Sequence, residues 1–228
     1  MVYVILMGAQ GSGKGTQAAL IGPKLKLVKV ATGELFRNAI ADMTDLGRQV
    51  KEILARGDLV PDDITNAIVR ERVAGIVAQA RSGDSNVNGA LFDGFPRNKI
   101  QAQALDEILA NLGVELTVVV EIDVPREALI ERLAGRRTGA VSGRILNIST
   151  MLADELAAIE EELIQRADDL PEAIARRLEL FDEQTAPLLA YYAGKGLLER
   201  VNGNQGVEDV FAEIKQAICS RVHACKVV

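Results

Sequence analysis

The sequence predicts an α/β protein: a central parallel sheet of about five strands with helices on both faces, plus two small inserted mobile subdomains. Three observations carry that expectation. Short, strongly apolar runs alternate with helix-forming stretches along the 228 residues, as a sheet covered on both faces requires. There is no Trp and only 4% aromatic residues against 48% hydrophobic ones, so the core must be aliphatic. The first apolar run, Val2 to Met7, passes into a glycine-rich loop and then a helix.

That loop reads Gly8-Ala9-Gln10-Gly11-Ser12-Gly13-Lys14-Gly15-Thr16. Glycines let backbone N–H groups close around an anion, because no Cβ blocks the approach. The helix starting at Lys14 or Gly15 adds unpaired N–H groups and a partial positive charge. Lys14 adds a mobile ammonium for outer phosphates. This is a P-loop type of phosphate cradle, and the sheet around it would be a three-layer P-loop fold. The strict pattern has Ser or Thr directly after the lysine. Here Gly15 stands there and Thr16 follows, which moves the usual hydroxyl ligand for Mg²⁺ out of place.

The formal net charge is −6, which speaks against a broad nucleic-acid or anionic-membrane surface. Met1 to Met7 has no basic leader and is too short for a signal peptide or a membrane span. Cys219 and Cys225 suit a reducing cytoplasm. With His223 they could be read as three metal ligands. A tail with spare thiols is the plainer reading, because a fourth ligand is missing.

In order along the chain, Leu25 to Val30 reads as a buried strand. Thr32 reads as an N-cap for a helix with Leu35, Phe36, Ala39 and Ile40 inward. A second helix runs from about Leu46 to Arg56 and stops at Gly57. Asp62 or Asp63 starts a long helix through about Arg81. Two short helices between a strand and a long helix predict an insert at 31–60. Ala90 to Asp93 is a short strand ending in a carboxylate, and a helix takes Lys99 to about Leu112. Glu115 to Ile122 is a strand; Pro125 fits the first turn of the next helix, which stops near Gly135. The loop-like 135–147 opens a second insert, 135–169. In it Leu152, Leu156, Ile159 and Leu163 recur at helical spacing among acids, predicting an amphipathic helix over about 151–165. Asp169 to Glu172 starts a long helix reaching Tyr192. Leu197 to Val201 is a last strand and Val207 to about Ile218 a last helix. The core is then 1–30, 61–134 and 170–228.

In such sheets ligands sit beyond the carboxyl ends of the strands. Gly8, Thr32 and Asp93 all fall just past strand ends, so they face one crevice. Lys14, Arg37, Arg97, Arg132, Arg136, Arg144, Arg166 and Arg177 are the cations available to it, with Arg132 and Arg136 spaced to share a helix face. Arginines gathered on loops beside a phosphate cradle point to more than one phosphate chain. Asp93, a carboxylate ending a buried strand, reads as an organiser of Mg²⁺ and its water shell; a helix-capping role is the simpler alternative.

The chain resembles the adenylate kinases, within the nucleoside monophosphate kinases, in stretches that span it in order. These are Gly8 to Thr16, Thr32-Gly33-Glu34-Leu35-Phe36-Arg37, Gly57-Asp58-Leu59-Val60-Pro61 and Asp93-Gly94-Phe95-Pro96-Arg97. Further on come Gly135-Arg136-Arg137, Ser142-Gly143-Arg144, Arg166-Ala167-Asp168-Asp169 and Thr185-Ala186-Pro187-Leu188. The resemblance implies MgATP + AMP ⇌ 2 ADP, with 31–60 a monophosphate-binding insert and 135–169 a lid. It implies that Gly11, Ser12, Gly13, Lys14, Gly15, Thr16, Arg132 and Arg136 hold ATP, with Arg132 under the adenine. AMP would be held by Thr32, Arg37, Leu59, Val60, Gly94, Arg97, Gln101, Arg166 and Arg177, with Gln101 at its adenine. Lys14, Arg97, Arg136, Arg166 and Arg177 would surround the transferring group, and Asp93 would hold Mg²⁺ through water. A cytoplasmic monomer acting on ATP, AMP and ADP is the implied setting.

Three departures qualify the resemblance. Gln10 stands where the family usually has Pro. Asn98 stands where it more often has Thr, and Asn at that place resembles the UMP/CMP kinases. Family lids of this length are usually a small antiparallel sheet, sometimes with four zinc ligands; Leu146 to Glu162 has no aromatic, Pro, Lys, Cys or His, so no zinc is expected and the predicted helix takes the sheet's place. A UMP/CMP kinase, and a nucleotide-binding scaffold with little catalysis, are the competing readings.

Overall fold

The computed structural model of the chain describes residues 1–149 and 151–222; His223 and Cys225, and so the trio with Cys219, lie outside the described residues. The chain runs β1 (Val2–Met7), α1 (Lys14–Leu25), β2 (Leu27–Ala31), α2 (Thr32–Ala41), α3 (Asp45–Arg56), α4 (Asp62–Arg81), β3 (Gly89–Asp93), α5 (Lys99–Asn111), β4 (Val118–Asp123) and α6 (Arg126–Ala134). It continues through β5 (Arg136–Gly139), β6 (Ile145–Asn147), α7 (Ala153–Ala157), β7 (Leu163–Ile164), α8 (Pro171–Leu180), α9 (Pro187–Gly194), β8 (Leu198–Asn202) and α10 (Val207–Cys219).

The 5-stranded sheet has the order β2-β3-β1-β4-β8, every pair parallel. β1 shows why these residues make a central strand. Val2, Val4 and Leu6 enter one core layer with Ala18, Ile21, Ile174 and Ile214, while Tyr3, Ile5 and Met7 enter the other with Val73, Ile76 and Leu105. Side chains alternate across a strand, so a strand covered twice must be apolar at every position. Each such side chain, fully buried, contributes about 1.5–3 kcal/mol.

The first insert has a small core of its own, Phe36, Val50 and Val60. α3 ends where expected, at Gly57, whose φ of 81° suits a residue without Cβ. Thr32 does not cap α2. It is the first residue of the helix, after Ala31 at the cap, and its hydroxyl donates instead to Gly94 O at 3.0 Å. The long helix expected up to Tyr192 is interrupted: α8 ends at Leu180 and Phe181–Thr185 forms a π-helical turn before α9. Pro187 lacks the N–H that an α-helix would use there. Ala186 N–H reaches back to Phe181 O, and the Thr185 hydroxyl donates to Arg97 O at 2.7 Å.

The second insert corrects the sequence reading most. No helix spans 151–165; α7 is five residues long, and a 3-stranded antiparallel sheet of order β6-β5-β7 builds the insert. The leucines spaced for a helix have no core to enter: Leu152 is 70% exposed and Leu156 40%. Glu161 pulls the chain out of helical register. Its carboxylate accepts from the N–H groups of Val141 and Ser142 at 2.8 and 2.9 Å, and from the Ser142 hydroxyl. These bonds hold the Glu161 carboxyl below the usual carboxylate range, the Ser142 hydroxyl foremost. Leu163 and Ile164 then pair with Gly139 and Thr138. A Cβ on Gly139 would collide with Glu161 Oε1 and Ser142 Oγ.

Two substitutions separate the stripe from the staple. Leu156→Asp should leave the unfolding free energy within about 0.5 kcal/mol of the parent; a clear drop would put Leu156 in a core. Gly139→Val should accelerate amide hydrogen exchange in β5 and β6 while β1 and β3 stay protected.

Candidate active site

In the sheet register Leu6 and Ala31 both lie beside Asp93, so β1, β2 and β3 end level. Beyond that edge lies a cavity of about 400 Å³. The loop after β1 forms its floor. Gly8 has φ 143°, and a side chain there would meet Ile122 O at 2.6 Å. Only glycine brings the loop this close to β4. α1 has no side-chain cap at Gly13, which leaves its first-turn N–H groups for an anion.

Lys14 Nζ curls into this loop. It donates to Gly8 O and Ala9 O at 2.7 Å each, and to Ser12 Oγ at 3.3 Å. Burial pushes its pKa down to about 8; Asp93 opposes that shift, while Arg97, Arg177 and Arg136 add to it. A buried ammonium among guanidinium groups lacks counter-charge.

The arginines arrive from separate elements. Arg97 follows β3 and its Nε donates to Gly94 O at 2.8 Å. Arg136 opens β5 and grips Asp169 with two bonds, Nε to Oδ2 at 2.7 Å and Nη2 to Oδ1. The Asp169 side chain is fully buried. Arg177, on α8, donates to the Asp168 carboxylate and, at 3.1 Å, to its backbone O. Arg166 Nε donates to Thr138 Oγ1 at 2.9 Å. Burial first, and the neighbouring arginines after it, push Arg37 and Arg97 down to about 10; both stay charged at neutral pH. Two unit charges about 4 Å apart repel by about 4 kcal/mol at an effective dielectric near 20. The cavity is therefore built to receive several negative charges.

Most residues expected at the site line this cavity: Gly11 to Thr16, Arg37, Leu59, Asp93, Gly94, Arg97, Arg132, Arg136, Arg166 and Arg177. Thr32, Val60 and Gln101 are not among its lining residues. Val60 belongs to the small core of the first insert. Gln101 is 2% exposed, with its amide bonded to Arg97 N–H and to Asp62. Arg132 and Arg136 do not share a helix face, because α6 ends at Ala134 and Arg136 lies in a strand. Arg132 instead donates to Gly203 O at 3.1 Å, at the far end of the cavity.

Some lining and supporting residues went unread in the sequence. Gly203, Gln205 and Val207 line the far end; they follow β8, so the rule of strand carboxyl ends would have found them. Asp168 and Asp169 position two arginines, and no local pattern announces that. Glu34 also lines the cavity while its carboxylate pairs with Lys29.

Comparison with known proteins identifies the family. A family model described as adenylate kinase matches residues 6–197. The adenylate kinase of Thermoanaerobacter sp. (strain X514) is 42% identical over 224 residues, 96% of this chain and 98% of that protein. The adenylate kinase of Oceanobacillus iheyensis is 42% identical over 218 residues, covering 94% and 98% of the two chains. That of Listeria monocytogenes serotype 4a is 41% identical over 220 residues, covering 95% and 99%. Similarity of this depth extends from the phosphate-cradling loop through both inserts to the last strand, and the chain belongs to the adenylate kinase family.

Proposed function

We propose that the chain catalyses MgATP + AMP ⇌ 2 ADP by direct in-line phosphoryl transfer. The observation that carries this reading is the convergence of Lys14, Arg97, Arg136, Arg166 and Arg177 on one cavity. A triphosphate facing a monophosphate multiplies charge repulsion, which one lysine does not offset. Several guanidinium groups do, and they also stabilise charge on the transferring group.

The loop Gly11 to Thr16 and Lys14 hold the donor phosphates, with Arg132 at the donor base. Thr32, Arg37, Gly94 and Arg97 serve the acceptor, with Leu59, Val60 and Gln101 at its base. No general base or covalent intermediate is needed; positioning and the exclusion of water accomplish the step. The segments 31–60 and 135–169 are the parts that close.

Mg²⁺ fits the donor set. Asp93 Oδ2 lies 3.5 Å from where a side chain on Gly15 would begin, and a carboxylate oxygen there suits the water shell of a hard cation. Bound with ATP, Mg²⁺ neutralises charge on the phosphate oxygens. Asn98 gives no weight to a pyrimidine acceptor: its Oδ1 caps α5 through Gln101 N–H and its Nδ2 donates to Asp62.

A coupled assay of ADP formation with AMP, UMP and CMP should find AMP fastest; UMP or CMP turned over well above AMP would overturn the assignment. Lys14→Ala should lower turnover by about 10²-fold or more. Its melting should fall little, because at pH 7 folding works against the Lys14 charge. The folded pKa of about 8 lies below the unfolded value near 10.4. The Lys14 contribution therefore makes the protein more stable as pH rises between the two.

Phosphate beside Lys14 restores its pKa, so ATP binding above about pH 8 should take up protons. Affinity should weaken as pH rises further. Calorimetry in buffers of different ionisation enthalpy measures the uptake; no difference in uptake between the parent and Lys14→Met would remove Lys14 from phosphate binding.

A further inference from the structure

The side-chain amide of Gln101 is held at both ends. Its Oε1 accepts from the backbone N–H of Arg97 at 2.8 Å, and its Nε2 donates to Asp62 Oδ1 at 2.8 Å. A backbone N–H only donates and a carboxylate only accepts, so these two contacts admit one orientation of the amide. In the flipped orientation its NH₂ would face the Arg97 N–H and its oxygen would face the carboxylate. Both bonds would be lost at a residue only 2% exposed, where water offers no replacement.

Asp62 is the side-chain half of this lock. It is the first residue of α4, directly after Leu59-Val60-Pro61. The same Oδ1 accepts from Asn98 Nδ2 at 2.8 Å, and Asn98 Oδ1 accepts from Gln101 N–H at 2.9 Å. Asp62 thus joins the end of the first insert to the first turn of α5, and it meets Gln101 there.

The locked amide keeps one N–H and one oxygen lone pair in a fixed order. With Oε1 toward position 6 and Nε2 toward N1, that order complements a purine with a 6-amino group, which offers a donor at position 6 beside an acceptor at N1. A 6-oxo purine offers an acceptor at position 6 beside a donor at N1, which opposes it. We infer that Asp62 is a positioning residue for base selectivity. It fixes the Gln101 amide in the orientation that accepts a 6-amino purine monophosphate and rejects the 6-oxo one. The inference rests on the reading that Gln101 faces the acceptor base.

The test is calorimetric binding of AMP and IMP to the parent, Asp62→Ala, Asp62→Asn and Gln101→Ala, with ATP binding and melting of each variant as controls. The ratio of AMP to IMP affinity should fall at least fivefold in Asp62→Ala. Asp62→Asn should keep the parent's ratio, because its amide oxygen still accepts from Gln101 Nε2. ATP affinity should not move. Where IMP binding to the parent is below detection, the detection limit sets the parent's ratio.

A fall of less than fivefold in Asp62→Ala, or a loss shared equally by AMP and IMP, would overturn the role of Asp62. Gln101→Ala distinguishes the two layers. If it collapses the ratio while Asp62→Ala does not, Gln101 reads the base without help from Asp62. If it leaves the ratio unchanged, Gln101 does not read the base and the underlying assignment fails. Asp62→Ser, whose side chain is too short to reach the amide, replaces the alanine variant should that one not fold.

Discussion

Like charges held close together are the condition that the rest of the structure answers. Lys14, Arg37, Arg97, Arg136, Arg166 and Arg177 line one cavity, and burial depresses the pKa of Lys14, Arg37 and Arg97 in turn. Such an arrangement would disperse if its side chains were free to move. They are not. Lys14 is bonded to carbonyls of its own loop, Arg97 to Gly94 O, and Arg136 and Arg177 to the adjacent Asp169 and Asp168. Each bond fixes a cation without cancelling the whole positive field, so the phosphate groups of substrates supply the missing negative charge.

The sheet makes this possible because its strands are parallel and end level. Parallel strands send their following loops to the same edge. Residues as far apart in the chain as Lys14, Asp93 and Arg97 therefore meet without a long connecting loop. The apolar runs that look unremarkable in composition are what hold the edge rigid: β1 is buried at every position from Val2 to Met7. Packing on both faces leaves little room for the floor of the cavity to shift.

What the sequence revealed follows the range of the interactions. The phosphate loop was legible because strand, glycines, lysine and helix are neighbours in the chain, and the core strands because burial on two faces writes itself as a continuous apolar run. The second insert was misread for a definite reason. Its leucines have helical spacing, but periodicity shows only which residues would share a face, not whether anything packs against that face. At 70% exposure for Leu152, nothing does. The interaction that decides the local structure, Glu161 with the N–H groups of Val141 and Ser142, spans about twenty residues and carries no periodic signature. The same holds for Asp168 and Asp169, whose importance appears only once Arg136 and Arg177 arrive beside them.

Three of the arginines that face the cavity also hold the second insert together and tie it to the core. Arg136 lies in β5 and bonds to Asp169 just before α8. Arg166, where the chain returns from the insert, bonds to Thr138 in β5. Arg177 in α8 holds Asp168. A phosphate that approaches any of these guanidinium groups meets a donor already engaged, and it must share or displace that partner. The bonds that position the insert are then reweighted by the same charge that the cavity is built to bind. Placement of the second insert and recognition of phosphate are in this way coupled electrostatically, through the few side chains that serve both.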